Sequence, residues 1–90
     1  MPPVEIYTAR YCAFCNAAKA LLTRKGVTYS EIDIGRDWKR RDEMIQRSNG
    51  RMTVPQIFIG AVHVGGSEEL HALERAGKLD PILAGAEASP

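Results

Sequence analysis

The chain has 90 residues, of which 44% are hydrophobic and 26% charged, and its formal net charge is +1. This length fits one compact domain, and the small net charge argues against a nucleic-acid-binding protein that works through bulk positive charge. No apolar stretch approaches the roughly 20 residues that cross a bilayer, and the N-terminus lacks the pattern of a signal peptide. We therefore expect one domain over residues 1–90, no nucleic-acid or membrane partner, and a cytoplasmic location.

The first third of the chain predicts a strand, a helix and a second strand. Residues 4–7 alternate as a short strand does, and the pattern from Cys12 to Lys25 is helical and ends before Gly26. Four apolar residues of this helix are predicted to share one buried face: Phe14, Ala18, Leu21 and Leu22. Residues 27–34 alternate again as a strand. Because strand–helix–strand units are right-handed crossovers, we expect the two strands to be parallel.

The middle of the chain predicts a second helix and then a hairpin. Asp37 is the N-cap of a helix that runs to Ser48. Its predicted buried residues are Trp38, Met44 and Ile45. Residues 56–59 and 62–64 read as two antiparallel strands joined by a tight turn, and the glycines at 65–66 break the second strand.

A third helix opens at Ser67 and ends at Gly77, and residues 80–83 add one further turn. Residues 85–90 are small and polar, and we expect them to fray. The complete order is strand, helix, strand, helix, strand, strand, helix. A small mixed sheet flanked by helices accommodates this order, so the predicted class is α/β.

The only two cysteines, Cys12 and Cys15, are separated by two residues. A disulfide that closes so short a loop contributes little stability, and a reducing cytosol would open a purely structural bridge. Cys12 lies where a loop passes into a helix, and the free N–H groups there stabilise a thiolate. Cys15 lies one turn later, within reach of Cys12. This arrangement is typical of a redox pair, in which one thiolate attacks a disulfide and the second cysteine resolves the mixed disulfide.

Zinc binding is the main alternative for the cysteine pair. A structural zinc site needs four ligands, usually as two close pairs. The only histidines, His63 and His71, fall on a predicted strand and a predicted helix, eight positions apart. We therefore predict no zinc site, and we interpret the histidines as a strand-edge residue and a helix-surface residue.

Four short motifs follow one another along the chain. They are Tyr7-Thr8, Cys12-Ala13-Phe14-Cys15, the segment 53–59 (Thr-Val-Pro-Gln-Ile-Phe-Ile) and the segment 65–68 (Gly-Gly-Ser-Glu). In this order they resemble the motifs of glutaredoxins, most closely the short bacterial dithiol type, and the resemblance covers about residues 4–83. It implies a thioredoxin-like fold with a four-stranded mixed sheet flanked by helices. It also implies a glutathione-dependent thiol–disulfide oxidoreductase that reduces protein–glutathione mixed disulfides and small or protein disulfides.

The resemblance further implies how glutathione would be bound. A cis peptide bond before Pro55 would place Val54 opposite the cysteines, and the Val54 backbone would pair with the cysteinyl part of glutathione as an added strand does. Ser67 and Glu68, at a helix N-terminus, would hold the γ-glutamyl end. The full set of implied glutathione-binding residues is Arg10, Tyr11, Arg41, Thr53, Val54, Pro55, Gly66, Ser67 and Glu68.

The chain departs from the usual glutaredoxin pattern at two places. Many glutaredoxins carry a lysine three positions before the first cysteine, where this chain has Ala9, so Arg10 or Arg41 would have to hold the glycyl carboxylate. The usual Cys-Pro-Tyr-Cys motif here contains Ala13 and Phe14. Some relatives without this proline bind a [2Fe–2S] cluster between two subunits, through one cysteine of each, here Cys12, and the thiols of bound glutathione. The alternative function is therefore a cluster-binding homodimer that acts as an iron–sulfur carrier or redox sensor, and without a cluster we expect a monomer.

Overall fold

Four strands form one mixed sheet in the computed structural model, which describes residues 2–85. The strands are β1 (Val4–Thr8), β2 (Ser30–Asp33), β3 (Gln56–Ile59) and β4 (Val62–Gly65). Their order across the sheet is β2-β1-β3-β4. β1 and β2 are parallel, whereas β3 is antiparallel to both β1 and β4. The predicted four-stranded mixed sheet is confirmed.

Four helices complete the described part of the chain. They are α1 (Ala13–Arg24), α2 (Trp38–Arg47), α3 (Ser67–Arg75) and α4 (Leu79–Leu83). Asp37 caps α2 as predicted, because its carboxylate accepts hydrogen bonds from the backbone N–H groups of Lys39 and Arg40 at 3.1 and 3.2 Å. Gly26 follows α1 with a φ of 72°, a conformation that costs glycine little.

The two faces of the sheet carry separate cores, because successive residues of a strand point to opposite sides. Ile6 of β1 belongs to the core under α1, α3 and α4, whereas its neighbour Tyr7 belongs to the core under α2. The larger core consists of Val4, Ile6, Ala18, Leu21, Leu22, Val27, Ile57, Ile59, Leu70, Leu79, Ile82 and Leu83. The smaller one consists of Tyr7, Ile32, Ile34, Met44 and Phe58. Burial of each of these large side chains stabilises the fold by about 1.5–3 kcal/mol relative to exposure.

The smaller core is completed by a polar network rather than by further apolar side chains. The Tyr7 hydroxyl donates a hydrogen bond to Glu43, and the Arg47 guanidinium donates to the Tyr7 oxygen at 2.8 Å and to Glu5 at 3.0 Å. The same guanidinium lies 4.1 Å from the ring centre of Phe58. Burial, and then the hydrogen bond to Glu43, raise the pKa of the Tyr7 phenol.

Both edges of the sheet are irregular or charged. On β2, Ser30, Glu31 and Asp33 are exposed, and Glu31 forms an ion pair with Lys19 of α1 at 3.0 Å. On the other edge, the pairing of β3 with β4 shifts its register between Ile57 and Phe58.

Two predicted core positions are wrong. Trp38 is 69% exposed and Phe14 is 71% exposed. Each lies in the first turn of its helix, and neither belongs to a core on either face of the sheet. Neighbouring residues lie about 100° apart around a helix, so Phe14 and Cys15 do not both face the core. In α1 the buried position belongs to Cys15, at 1% exposure. In α2, Met44 is buried as predicted, and Ile45 is half-buried.

Two predicted boundaries also shift. The second strand begins at Ser30 rather than at residue 27, although Val27 is buried. β4 continues through Gly65, and Gly66 is the N-cap of α3. Of the tail predicted to fray, residues 86–90 lie outside the described residues.

Candidate active site

The cysteine pair lies at the start of α1, with Cys12 as its N-cap and Cys15 in its first turn. The two sulfurs are joined in a disulfide, and the Cα atoms are 5.2 Å apart. The backbone N–H of Cys15 donates a hydrogen bond to Cys12 Sγ at 3.1 Å. Cys12 is partly exposed, whereas Cys15 is buried. Only Cys12 is therefore accessible to another molecule, and the helix end directs a donor at its sulfur, as a reactive thiolate requires.

The loop before β3 faces this sulfur. The Val54–Pro55 peptide bond is cis, as the glutaredoxin resemblance implies. Cys12 Sγ lies 3.9 Å from the carbonyl oxygen of Val54. The backbone of Val54 is thus next to the reactive sulfur.

A cavity of about 290 Å³ opens between this loop and the N-terminus of α3. Its lining residues are Phe14, Arg51, Thr53, Val54, Pro55, Gly66, Ser67, Glu68 and Glu69. Six of the nine predicted glutathione-binding residues are among them, those at positions 53–55 and 66–68. Val54 connects this cavity to the disulfide, because Val54 lines the cavity and its carbonyl oxygen lies next to Cys12 Sγ. Whether these residues bind glutathione stays a prediction.

The remaining three predicted residues lie outside this cavity. Tyr11, next to Cys12, is fully exposed and has a φ of 57°. Arg10 lines a different cavity of about 480 Å³, which opens where β1 and β2 end. The other residues that line it are Ala9, Asp33, Gly35, Arg36 and Asp37. Arg41 is exposed on α2 and is absent from the lining of both cavities.

The cavity beside the disulfide also contains residues that the sequence analysis did not assign to a site. Glu69 accepts a hydrogen bond from the N–H of Gly66 at 2.6 Å, and Arg51 donates to the same carboxylate oxygen at 3.4 Å. The Gly66 hydrogen bond is the main cause of a lowered pKa at Glu69. A carboxylate three residues after the N-cap is a capping signal that the sequence contained. No such signal identified Arg51, which follows the turn at Gly50 and lines this cavity.

The two histidines have separate hydrogen-bond partners. His63 Nε2 lies 2.7 Å from Oε1 of Gln56, and His71 Nδ1 lies 2.8 Å from the backbone oxygen of Ser67. Within residues 2–85, no group of three or more histidine, cysteine or acidic side chains could hold a metal ion. In the same range, no helix combines the length and the apolar character needed to span a bilayer.

Comparison with known proteins identifies one family. The sequence model of the glutaredoxins matches residues 4–64. Glutaredoxin 3 of Escherichia coli is 54% identical over 83 residues, which are 92% of this chain and 99% of that protein. The solution structure of a glutaredoxin from Brucella melitensis matches with a TM-score of 0.81 at 54% identity, over 92% of this chain and 89% of the other. The crystal structure of a buckwheat glutaredoxin–glutathione complex matches with a TM-score of 0.84 at 30% identity, over 97% and 81% of the two chains.

Proposed function

The chain belongs to the glutaredoxin family and is a thiol–disulfide oxidoreductase, and we propose that glutathione is both its reductant and a part of its substrates. The observation that carries the proposal is the cavity that joins the Val54 loop to the start of α3 beside the Cys12 sulfur. The buckwheat relative, which shares this fold, is a glutaredoxin–glutathione complex. The expected substrates are glutathionylated proteins and proteins or small molecules with a disulfide.

The proposed reaction begins with the Cys12 thiolate, once the pair is reduced. It attacks the glutathione sulfur of a protein–glutathione mixed disulfide, the protein thiolate leaves, and Cys12 becomes bonded to glutathione. The thiolate of a second glutathione then attacks the bound glutathione sulfur. This step releases Cys12 as a thiolate and forms oxidised glutathione, so two electrons pass from glutathione to the protein substrate.

Cys15 takes part only when a protein disulfide is reduced. Cys12 then forms a mixed disulfide with the substrate, and Cys15 attacks Cys12 Sγ and releases the substrate thiolate. The product is the Cys12–Cys15 disulfide, the form seen in this structure. Burial of Cys15 fits this internal role, because a buried thiol does not meet an external disulfide first.

The experiment that tests this route compares two variants on a glutathionylated peptide with glutathione as reductant. Cys12→Ser abolishes reduction of the mixed disulfide, whereas Cys15→Ser keeps most of it. Equal loss in both variants would contradict the one-cysteine route. If millimolar glutathione does not reduce the oxidised wild-type protein, the proposal of glutathione as reductant is wrong.

We also propose that Arg10 or Arg41 holds the glycyl carboxylate of glutathione, since Ala9 offers no charge. Neither lines the cavity beside the disulfide, so one of them would act from its rim. Arg10→Gln and Arg41→Gln, measured separately, identify it by an increased KM for the glutathionylated peptide. A peptide bearing γ-glutamylcysteine, which lacks the glycine, is the control substrate whose KM stays constant.

The second candidate function is a [2Fe–2S] homodimer. It is favoured by the exposed Ala13 in place of the usual proline and by Cys12 as the one accessible cysteine, which offers one ligand per copy. Protein purified anaerobically with glutathione would absorb visible light and elute as a dimer, and Cys12→Ser would be colourless. A colourless wild-type monomer excludes this function. The cytoplasmic location stays a prediction from the sequence.

A further inference from the structure

Three hydrogen-bonded residues connect the edge strand β4 to the loop that carries Val54. His63 Nε2 lies 2.7 Å from Gln56 Oε1. The Gln56 side-chain amide donates to the backbone oxygen of Thr53 at 3.0 Å and approaches its hydroxyl at 3.3 Å. We propose that His63 and Gln56 are positioning residues, which fix the Thr53 carbonyl and thereby the Val54 backbone that binds the substrate. This proposal rests on the proposed function.

The direction of each hydrogen bond follows from the groups involved. A backbone carbonyl only accepts, so the NH₂ group of Gln56 must point at Thr53, and its oxygen must point at His63. His63 therefore donates from Nε2. Gln56 is fully buried. Without His63 its side-chain oxygen would have no hydrogen-bond donor, and water could not readily take the place of His63. One histidine on β4 thus determines which way the Gln56 amide points.

The His63 ring is itself held in place. It stacks on Phe58 with ring centres 4.7 Å apart and an interplanar angle of 21°. Phe58 in turn contacts the guanidinium of Arg47, 4.1 Å from the ring centre. Burial, followed by the positive charge of Arg51, lowers the pKa of His63. The neutral ring with its proton on Nε2 can donate to Gln56, so the relay formed by His63, Gln56 and Thr53 does not need a charged histidine.

The loop between α2 and β3 has an anchor near each end. At its start, the Ser48 hydroxyl lies 3.0 Å from the backbone oxygen of Arg51. At its end, Gln56 holds the oxygen of Thr53. Arg51, Met52 and Thr53 are exposed, so these polar anchors, rather than packing, determine the course of this segment. Since His63 does not line the cavity beside the disulfide, its effect on the substrate passes through Gln56.

The test uses three variants of the relay and one matched control. His63→Phe keeps an aromatic ring on Phe58 and removes the donor. Gln56→Met removes the hydrogen bonds to His63 and to Thr53, and His63→Gln restores a donor. Val64→Ala is the control, because Val64 lies on the same strand but packs against the larger core on the other face. Two rates are measured for each protein: reduction of a glutathionylated peptide, and alkylation of reduced Cys12 by iodoacetamide, which has no peptide backbone.

We expect His63→Phe to raise the KM for the glutathionylated peptide about tenfold, the effect of one lost hydrogen bond, and Gln56→Met to raise it by at least as much. The alkylation rate stays constant, since Cys12 keeps its donor from Cys15. His63→Gln returns the KM toward the wild-type value, and Val64→Ala leaves the KM unchanged.

Three results would overturn the proposal: an unchanged KM in folded His63→Phe and Gln56→Met, an equal rise in Val64→Ala, or a parallel fall in alkylation. If Gln56→Met does not fold, the comparison of His63→Phe with His63→Gln decides. Failure of the proposed function is detected separately, in the wild-type protein. If glutathione is not recognised, the wild-type protein reduces a cysteinylated peptide with the same KM as the glutathionylated peptide.

Discussion

The two faces of the sheet are built on different physical principles. Under α1, α3 and α4 the core is apolar throughout, whereas under α2 a small apolar core is completed by the Tyr7–Glu43–Arg47–Glu5 network. Apolar burial stabilises without specifying direction, whereas hydrogen bonds fix orientation. The apolar face supports the helix that carries Cys12, and α2 leads into the loop that carries Val54. Cys12 therefore lies on a helix that packs over the apolar core, and the loop with Val54 follows the helix that packs over the polar network.

The largest expected effect comes from the apolar face. Leu22 is fully buried in α1, and Leu22→Ala should lower the free energy of unfolding by about 2–5 kcal/mol. Met44→Ala, equally buried but under α2, should cost less, because its core is smaller and is bordered by the half-buried Ile45 and Val54, so the site can collapse more readily. Urea unfolding of both variants measures the difference. A larger loss in Met44→Ala would contradict the contrast between the faces.

The next effect concerns the polar network. Arg47→Met removes the hydrogen bonds to Tyr7 and Glu5 and the contact with Phe58. Because Arg47 is only partly buried, we expect a loss of about 1–2 kcal/mol in the free energy of unfolding. Arg36→Met, at an exposed arginine, is the control for the lost charge. Equal urea midpoints for the two variants would show that the network adds nothing.

A smaller effect is expected at the cap of α3. Glu69→Ala leaves the Gly66 N–H without its acceptor, which should cost about 1 kcal/mol at neutral pH. Since the folded pKa of Glu69 is lowered, its stabilisation is present above the unfolded pKa and is lost as pH falls through the folded value. The stability difference between wild type and variant should therefore shrink in acid. A constant difference from neutral to acidic pH would disprove this origin.

The smallest effect is the pH dependence contributed by His63. Its folded pKa is lowered, mainly by burial, so the unfolded chain binds the proton more readily. Stability from the neutral ring is present above the unfolded pKa and is lost as pH falls through the folded pKa. Wild type should therefore lose more stability than His63→Gln when the solution is acidified from neutral pH. Parallel stability curves would contradict the lowered pKa.

The sequence predicts the elements of the fold well, because their signals are local. Asp37 caps α2 through the backbone beside it, and the apolar spacing of Ala18, Leu21 and Leu22 marks one buried face. The same periodicity fails for Phe14 and Trp38, because it shows which residues share a face but not which residue of the first turn contacts the core. Coverage at a helix end depends on tertiary structure, which a local pattern does not contain.

The sequence predicts only part of the site, again because its signals are local. The cysteine pair and the segments 53–55 and 66–68 are contiguous motifs, and the fold brings them to one cavity. The contact of Tyr7 with Arg47 joins residues forty positions apart, and no spacing rule connects them. Arg51 likewise carries no sequence signal as a cavity residue, because its ion pair with Glu69 joins residues eighteen positions apart. Gln56 reads as an ordinary strand residue in the sequence, since its hydrogen bond with His63 exists only once β4 is paired with β3.

The edges of the sheet bear on how the protein behaves at high concentration. An edge strand displays backbone groups that could pair with another molecule and start a fibril. On β2, the exposed carboxylates of Glu31 and Asp33 would lie close to those of a second copy of the chain. Lys19 offsets the charge of Glu31 only, so the two copies would repel each other through Asp33. On β4, the shifted register beside Phe58 interrupts the regular spacing that a stacked strand needs. Both edges therefore carry features that oppose edge-to-edge pairing of one copy of this chain with another.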